Sequence, residues 1–144
     1  MSRSNYSDDC EHIDLYRNAV DRSIKGKRGQ AFLRKLKGAL EGLQRKRLVT
    51  GVVVNDGEVC AIGALVQKEG GDVYRFEKYC DSGDVGEVLA KEFDVAESLT
   101  REIMYVNDEW YYGASETPEQ RYERLLKWVN ENIFSPGLKK EGGG

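Results

Sequence analysis

Residues 48–66, LVTGVVVNDGEVCAIGALV, are the most apolar stretch of a 144-residue chain, and long charged segments flank them on both sides. That contrast makes the stretch the expected centre of the hydrophobic core. Val49, Val52, Val53 and Val54 are β-branched, and Asn55-Asp56-Gly57 is a strong turn signal. Beyond the turn two readings stand. Glu58 to Val66 can be the returning strand of a hairpin, or Cys60, Ala61, Ala64 and Leu65 can form one face of a short helix, with Gly63 admitting a close neighbour. The favoured reading is a short strand, a tight turn and then a buried helix of small residues.

On the N-terminal side, Ser7 can cap a first helix, with Asp8, Asp9 and Glu11 at its positive end and Ile13, Tyr16, Val20 and Ile24 as its apolar stripe. Gly26 and Gly29 break the pattern, so this helix is expected to stop near Lys25, leaving Lys27 and Arg28 on an exposed turn. A second helix is predicted from Gln30 to Arg45, burying Phe32, Leu33, Leu36, Ala39, Leu40 and Leu43. Gly38 and Gly42 weaken it and suggest close approach of another element. Lys and Arg at 45–47 suit its negative end.

On the C-terminal side, the aromatic residues Tyr74, Phe76 and Tyr79 are expected to fold back over the core. Helical spacing returns with Val85, Val88, Leu89 and Phe93. Asp94 reads as the N-cap of a further helix carrying Leu99, Ile103 and Val106. Thr117, Pro118 and Gln120 carry the signature of a capping box, opening a last helix with Tyr122, Leu125, Leu126, Val129 and Ile133 on its packing face. Pro136-Gly137 ends it. The expected fold is a single, mainly helical α+β domain over residues 1–136, with five or six helices, a short β element near 48–60 and a loose tail over 137–144.

The formal net charge is −3, with 33% charged and 40% hydrophobic residues, which fits a folded, highly soluble protein. There is no apolar run of membrane-spanning length and no apolar leader, so a cytoplasmic protein without membrane contact is expected. Three cysteines, an odd number, argue for reduced thiols. The small net charge hides an asymmetry: Arg22 to Arg47 contains ten basic residues against Glu41 alone, or +9, leaving −12 on the remainder. That polarity points to a partner. Within the segment, Lys25, Lys27, Arg28, Arg34 and Lys35 are the candidate contacts, to an acidic protein or to nucleic-acid phosphates. The plain reading, which the sequence favours over phosphate contact, is a solvated helical face whose charge the acidic remainder balances.

Other constellations are weaker. Residues 87–104 have a helix–turn–helix look, but Glu97 and Glu102 against Arg101 would repel phosphate, so a structural helix pair is the better reading. Cys10, His12, Cys60 and Cys80 lack zinc-ligand spacing, and His12 is the sole histidine, so no metal, cofactor or nucleophile–base pair is assigned. Asp108, Trp110, Tyr111 and Tyr112 form a possible aromatic recognition surface. Its plain alternative is aromatics that pin the last helix to the core.

Four blocks in order, IKGKRGQAFLRKL (24–36), DGEVCAIGAL (56–65), EIMYVNDEW (102–110) and TPEQRYERLLKWV (117–129), resemble small uncharacterised proteins encoded by bacteriophages and prophages. The resemblance runs from about Ser4 to Ile133. It implies a phage setting inside a bacterial host but carries no catalytic residues. The expectation is a non-enzymatic accessory protein that binds a host or anti-phage defence protein and modulates it, with a nucleic-acid-binding module as the alternative.

Overall fold

Asp56 and Gly57 decide the local geometry of the central stretch. Both adopt positive φ (57° and 81°), as a two-residue hairpin turn of the type favoured by strand twist requires. They join β1 (Val54–Asn55) to β2 (Glu58–Val59), which pair antiparallel with Val54 opposite Val59. The chain then turns at once into α3 (Ala61–Lys68), whose N-cap is Cys60. Both readings of residues 58–66 therefore hold in part: a returning strand of two residues, then the buried helix. Gly63 is the contact point between them. A Cβ there would stand 2.5 Å from the Val53 carbonyl oxygen and 2.8 Å from Val59 Cβ, so only glycine lets α3 lie on the hairpin.

The computed structural model describes residues 13–50, 53–76, 85–108 and 116–134. Six α-helices lie within them: α1 (Ile13–Lys25), α2 (Lys27–Glu41), α3, α4 (Val85–Phe93), α5 (Glu97–Asp108) and α6 (Pro118–Asn132), with a 3₁₀ turn over Val73–Phe76. The fold is mainly helical α+β, with one two-stranded sheet among the described residues. α2 packs on α1, α3 and α6, and α5 packs on α1, α3, α4 and α6. Side chains from all six helices and the hairpin merge into one apolar core. The cap expected at Ser7 and the tail over 137–144 lie outside the described residues.

Several boundaries differ from the sequence reading for identifiable reasons. α1 ends at Lys25 as expected, but α2 starts at Lys27, because only Gly26 leaves the helical conformation. Gly29 is helical and buried. Its missing side chain makes room for α1, since a Cβ would lie 1.7 Å from the Ser23 carbonyl oxygen. α2 also stops at Glu41 rather than Arg45, with Gly42 as its C-cap. Lys46 still serves the negative end, donating to the carbonyls of Glu41 and Leu43 at 2.5 and 2.6 Å. Among the described residues outside its own helix, a Cβ at Gly38 would meet only the end of the Lys68 side chain.

Asp94 is not an N-cap. It takes a left-handed conformation (φ 55°) after α4, and the Val95 N–H returns to the Ala90 carbonyl at 3.1 Å. That six-to-one bond is the Schellman closure of a helix C-terminus. Of the expected aromatic cover, Phe76 is fully buried, Tyr74 stays 60% exposed, and Tyr79 lies outside the described residues. The exposed Tyr74 reflects the 3₁₀ turn, which points successive side chains about a third of a turn apart.

The start of α6 matches its sequence signature. Thr117 Oγ1 accepts from the Gln120 N–H at 3.1 Å, and Gln120 Oε1 accepts from the Thr117 N–H at 2.9 Å. Thr117→Ala removes one half of this reciprocal cap and is expected to cost about 1 kcal/mol in a chemical denaturation experiment. A midpoint unchanged in denaturant would show that water replaces the hydroxyl without loss.

Candidate functional site

The basic segment folds into two parts with different fates. From Lys37 onward the cations are engaged. Lys37 pairs with Glu41 at 2.5 Å, Arg45 and Arg47 both reach Glu58 at 3.3 and 3.4 Å, and Lys46 caps α2 and lies 5.9 Å from the Tyr122 ring centroid. A cleft of about 490 Å³ between this loop and the hairpin is lined by Arg45 and Arg47, which Glu58 already holds. Those charges serve the fold.

Before Lys37 the picture reverses. Lys25 ends α1, and Lys27, Arg28, Arg34 and Lys35 lie on α2, all exposed. The helical period places Lys27, Ala31, Arg34, Lys35 and Gly38 on the face opposite the buried Leu33, Leu36 and Leu40. Among the described residues Lys25, Lys27 and Lys35 have no carboxylate partner. Arg34 donates to the Phe134 carbonyl at 2.6 Å, which leaves its charge uncompensated. Arg28 alone is paired, with Asp94 Oδ1 at 3.0 Å. The small residues Ala31 and Gly38 leave the helix backbone approachable between the long cationic stems.

The structure adds a residue that sequence spacing does not bring here. Lys68 comes from α3, and its Nζ lies 3.9 Å from where a Gly38 Cβ would stand, so a further ammonium joins the face. Only the packing of α3 on α2 places it there. The helix also opens without a side-chain cap and with no acidic residue in its first turn. Its positive end therefore adds to the same field.

The other candidates fall elsewhere. Asp108 is the last residue of α5 and half-buried, accepting from Asn107 Nδ2 at 2.8 Å, while Trp110, Tyr111 and Tyr112 lie outside the described residues. Asn107 is not a loop residue. It is buried, accepts from the Ala61 N–H at 3.1 Å and donates to the Val49 carbonyl at 2.9 Å, tying α5 to the start of α3. α5 buries Leu99, Glu102, Ile103, Met104 and Val106, so α4 and α5 form a structural helix pair whose second member is too enclosed to enter a nucleic-acid groove. Cys60 is buried, and its Sγ accepts from the Gly63 N–H at 3.5 Å; Cys10, His12 and Cys80 lie outside the described residues.

At the start of α6 sits a polar cluster that no sequence pattern announced. Glu116 receives Arg124 at 2.6 and 3.0 Å and lies 3.4 Å from Arg121 Nε. Arg124 also donates to the Val106 carbonyl at 2.6 Å, and Arg121 to the Leu48 carbonyl at 2.7 Å. The hydrogen bond from Arg124 holds the Glu116 carboxyl below the usual glutamate range; partial burial opposes this, and the charges of both arginines reinforce it. Every group here bonds a neighbouring element, so the cluster is a joint between elements.

Among the described residues no helix is long and apolar enough to cross a membrane. Comparison with protein-family models, curated proteins and solved structures finds no match.

Proposed function

We propose that this protein is a binding module that docks the cationic face of α2 on an acidic patch of another protein. The phage resemblance makes that partner a host or anti-phage defence protein. The observation that carries the reading is the split in the basic segment: cations from Lys37 onward are committed to intramolecular partners, while among the described residues Lys27 and Lys35 have no carboxylate partner and Lys68 adds an ammonium beside Gly38. Unpaired charge on one face raises encounter rates with a complementary surface.

A protein partner is favoured over nucleic acid by the charge elsewhere. The chain is −3 overall despite this face. The residues outside Arg22–Arg47 carry −12, so an extended polyanion that runs past α2 meets net acidic chain, whereas a local acidic patch is screened from it beyond about 8–10 Å. Phosphate binding has one observation in its favour, the α2 N-terminus without cap or acid.

The variant Lys27→Glu/Lys35→Glu tests the reading. Stability is expected to change by no more than about 0.5 kcal/mol per position, and Glu in the first turn of α2 suits the helix dipole. Wild-type bait should recover a protein from phage-infected cells, and the variant should associate with it about tenfold more slowly at low salt. Retardation of DNA or RNA that weakens steeply with salt would favour phosphate binding instead. Unchanged association with a recovered partner would remove α2 from the interface.

A further inference from the structure

We propose that the groove between α2 and the α4–α5 corner receives an acidic segment of the partner carrying one aromatic or large aliphatic side chain, and that Asp94 holds the place of that segment's carboxylate in the free protein. This rests on the reading of α2 as the docking face and specifies the chemistry of what docks there.

The groove has an apolar floor and cationic walls. Phe32 and Phe93 form the floor, with ring centroids 5.7 Å apart and planes inclined at 56°. Arg28 and Lys35, two turns apart on α2, line it together with Ala31 and Asp94, and the volume is about 140 Å³. That is close to the roughly 150 Å³ of an engineered cavity able to hold benzene, so one ring or branched aliphatic side chain fits. A segment entering between two cations is selected for carboxylates next to its apolar anchor.

Asp94 is poorly explained by stability. A left-handed residue after a helix is best supplied by glycine, then asparagine. A carboxylate at a helix C-terminus also opposes the macrodipole. Its compensation is the Arg28 contact, with the two side chains 67% and 85% exposed, where an ion pair contributes little. A carboxylate resting on Arg28 at the mouth of an apolar groove instead makes sense as an occupant to be displaced. It lets a segment with several carboxylates and an anchor enter, and it holds off ligands that bring only one charge.

The test uses three labelled peptides in fluorescence anisotropy at low salt: aspartates flanking a central phenylalanine, the same peptide with serine at the centre, and the phenylalanine peptide with asparagines for aspartates. Burial of the ring should make the first bind about tenfold tighter than the second. Asp94→Asn, which keeps a side chain accepted in the left-handed conformation, should tighten the first at least about threefold and leave the third unchanged. Arg28→Gln should abolish that gain. Equal binding of the first two peptides overturns the apolar anchor, and an Asp94→Asn variant that binds no tighter overturns the displacement. If either fails while Lys27→Glu/Lys35→Glu still weakens the acidic peptides, the α2 docking face survives and this inference does not. No binding of either acidic peptide to wild type or to Asp94→Asn overturns both.

Discussion

Gly29→Ala is expected to destabilise the protein by about 3 kcal/mol or more, although it adds a single methyl group to a helix. In an ordinary helix interior the same change would stabilise by about 1 kcal/mol. Here the new Cβ would stand 1.7 Å from the Ser23 carbonyl oxygen and 2.8 Å from its carbonyl carbon. Both are backbone atoms near the end of α1, so no rotamer change relieves the overlap. The corner between α1 and α2 must open, and overpacking of this kind costs about 1–3 kcal/mol or more. The corner also carries Gln30, buried and donating to the Ile24 carbonyl at 2.8 Å, so opening it strains a second contact. Urea denaturation of the variant decides the matter. A midpoint equal to or above wild type would mean that helix propensity outweighs the contact and that α1 is not seated as described.

The second large effect is expected at Glu116. Glu116→Gln removes the charge that Arg121 and Arg124 share while nearly preserving shape. The side chains of Glu116, Arg121 and Arg124 are 11%, 10% and 22% exposed. Removing one member of a buried pair costs about 3–5 kcal/mol, and the partial exposure of Arg124 places this case near 3 kcal/mol. The loss has a pH signature. Because the carboxyl is held below the usual glutamate range in the folded protein, its contribution is complete above that range and disappears as pH falls through the lowered folded value. The difference between wild type and Glu116→Gln should therefore be constant from neutral pH to about 5 and shrink below about 4. A gap that persists undiminished at about pH 3 would assign the loss to packing rather than charge.

Where the sequence spoke through local chemistry, it was read correctly. The Thr117–Gln120 box and the Asp56-Gly57 turn depend on atoms within a few residues of one another, and both formed as expected. The reading failed where a residue answers to a distant neighbour. Gly29 looks like a helix breaker because glycine weakens isolated helices, yet its position is set by the Ser23 carbonyl of the preceding helix. Asp94 is a local exception: it carries the side chain of an N-cap, but aspartate also tolerates the left-handed conformation, and the Val95 N–H bond to the Ala90 carbonyl makes it a helix end instead. The candidate face was legible in outline, since Lys27, Arg28, Arg34 and Lys35 fall on one side of α2. Lys68 was not, because it arrives through helix packing. The engagement of Arg45 and Arg47 by Glu58 was equally hidden, since the hairpin alone brings that carboxylate to the loop.

Gln30 has a consequence for how the chain closes on itself. Its amide donates to the Ile24 and Asn132 carbonyls, and its oxygen accepts from the Phe134 N–H at 2.9 Å, so one side chain joins residues 102 and 104 positions away to the end of the first helix. Closing so long a loop is not rewarded until its ends meet, so the clasp is expected to form after the intervening elements have assembled. The two edges of the described chain thus share a single fastening. Fraying that begins at the end of α1 is expected to loosen the end of α6, and the reverse, so hydrogen exchange should find these two edges of the described chain opening together.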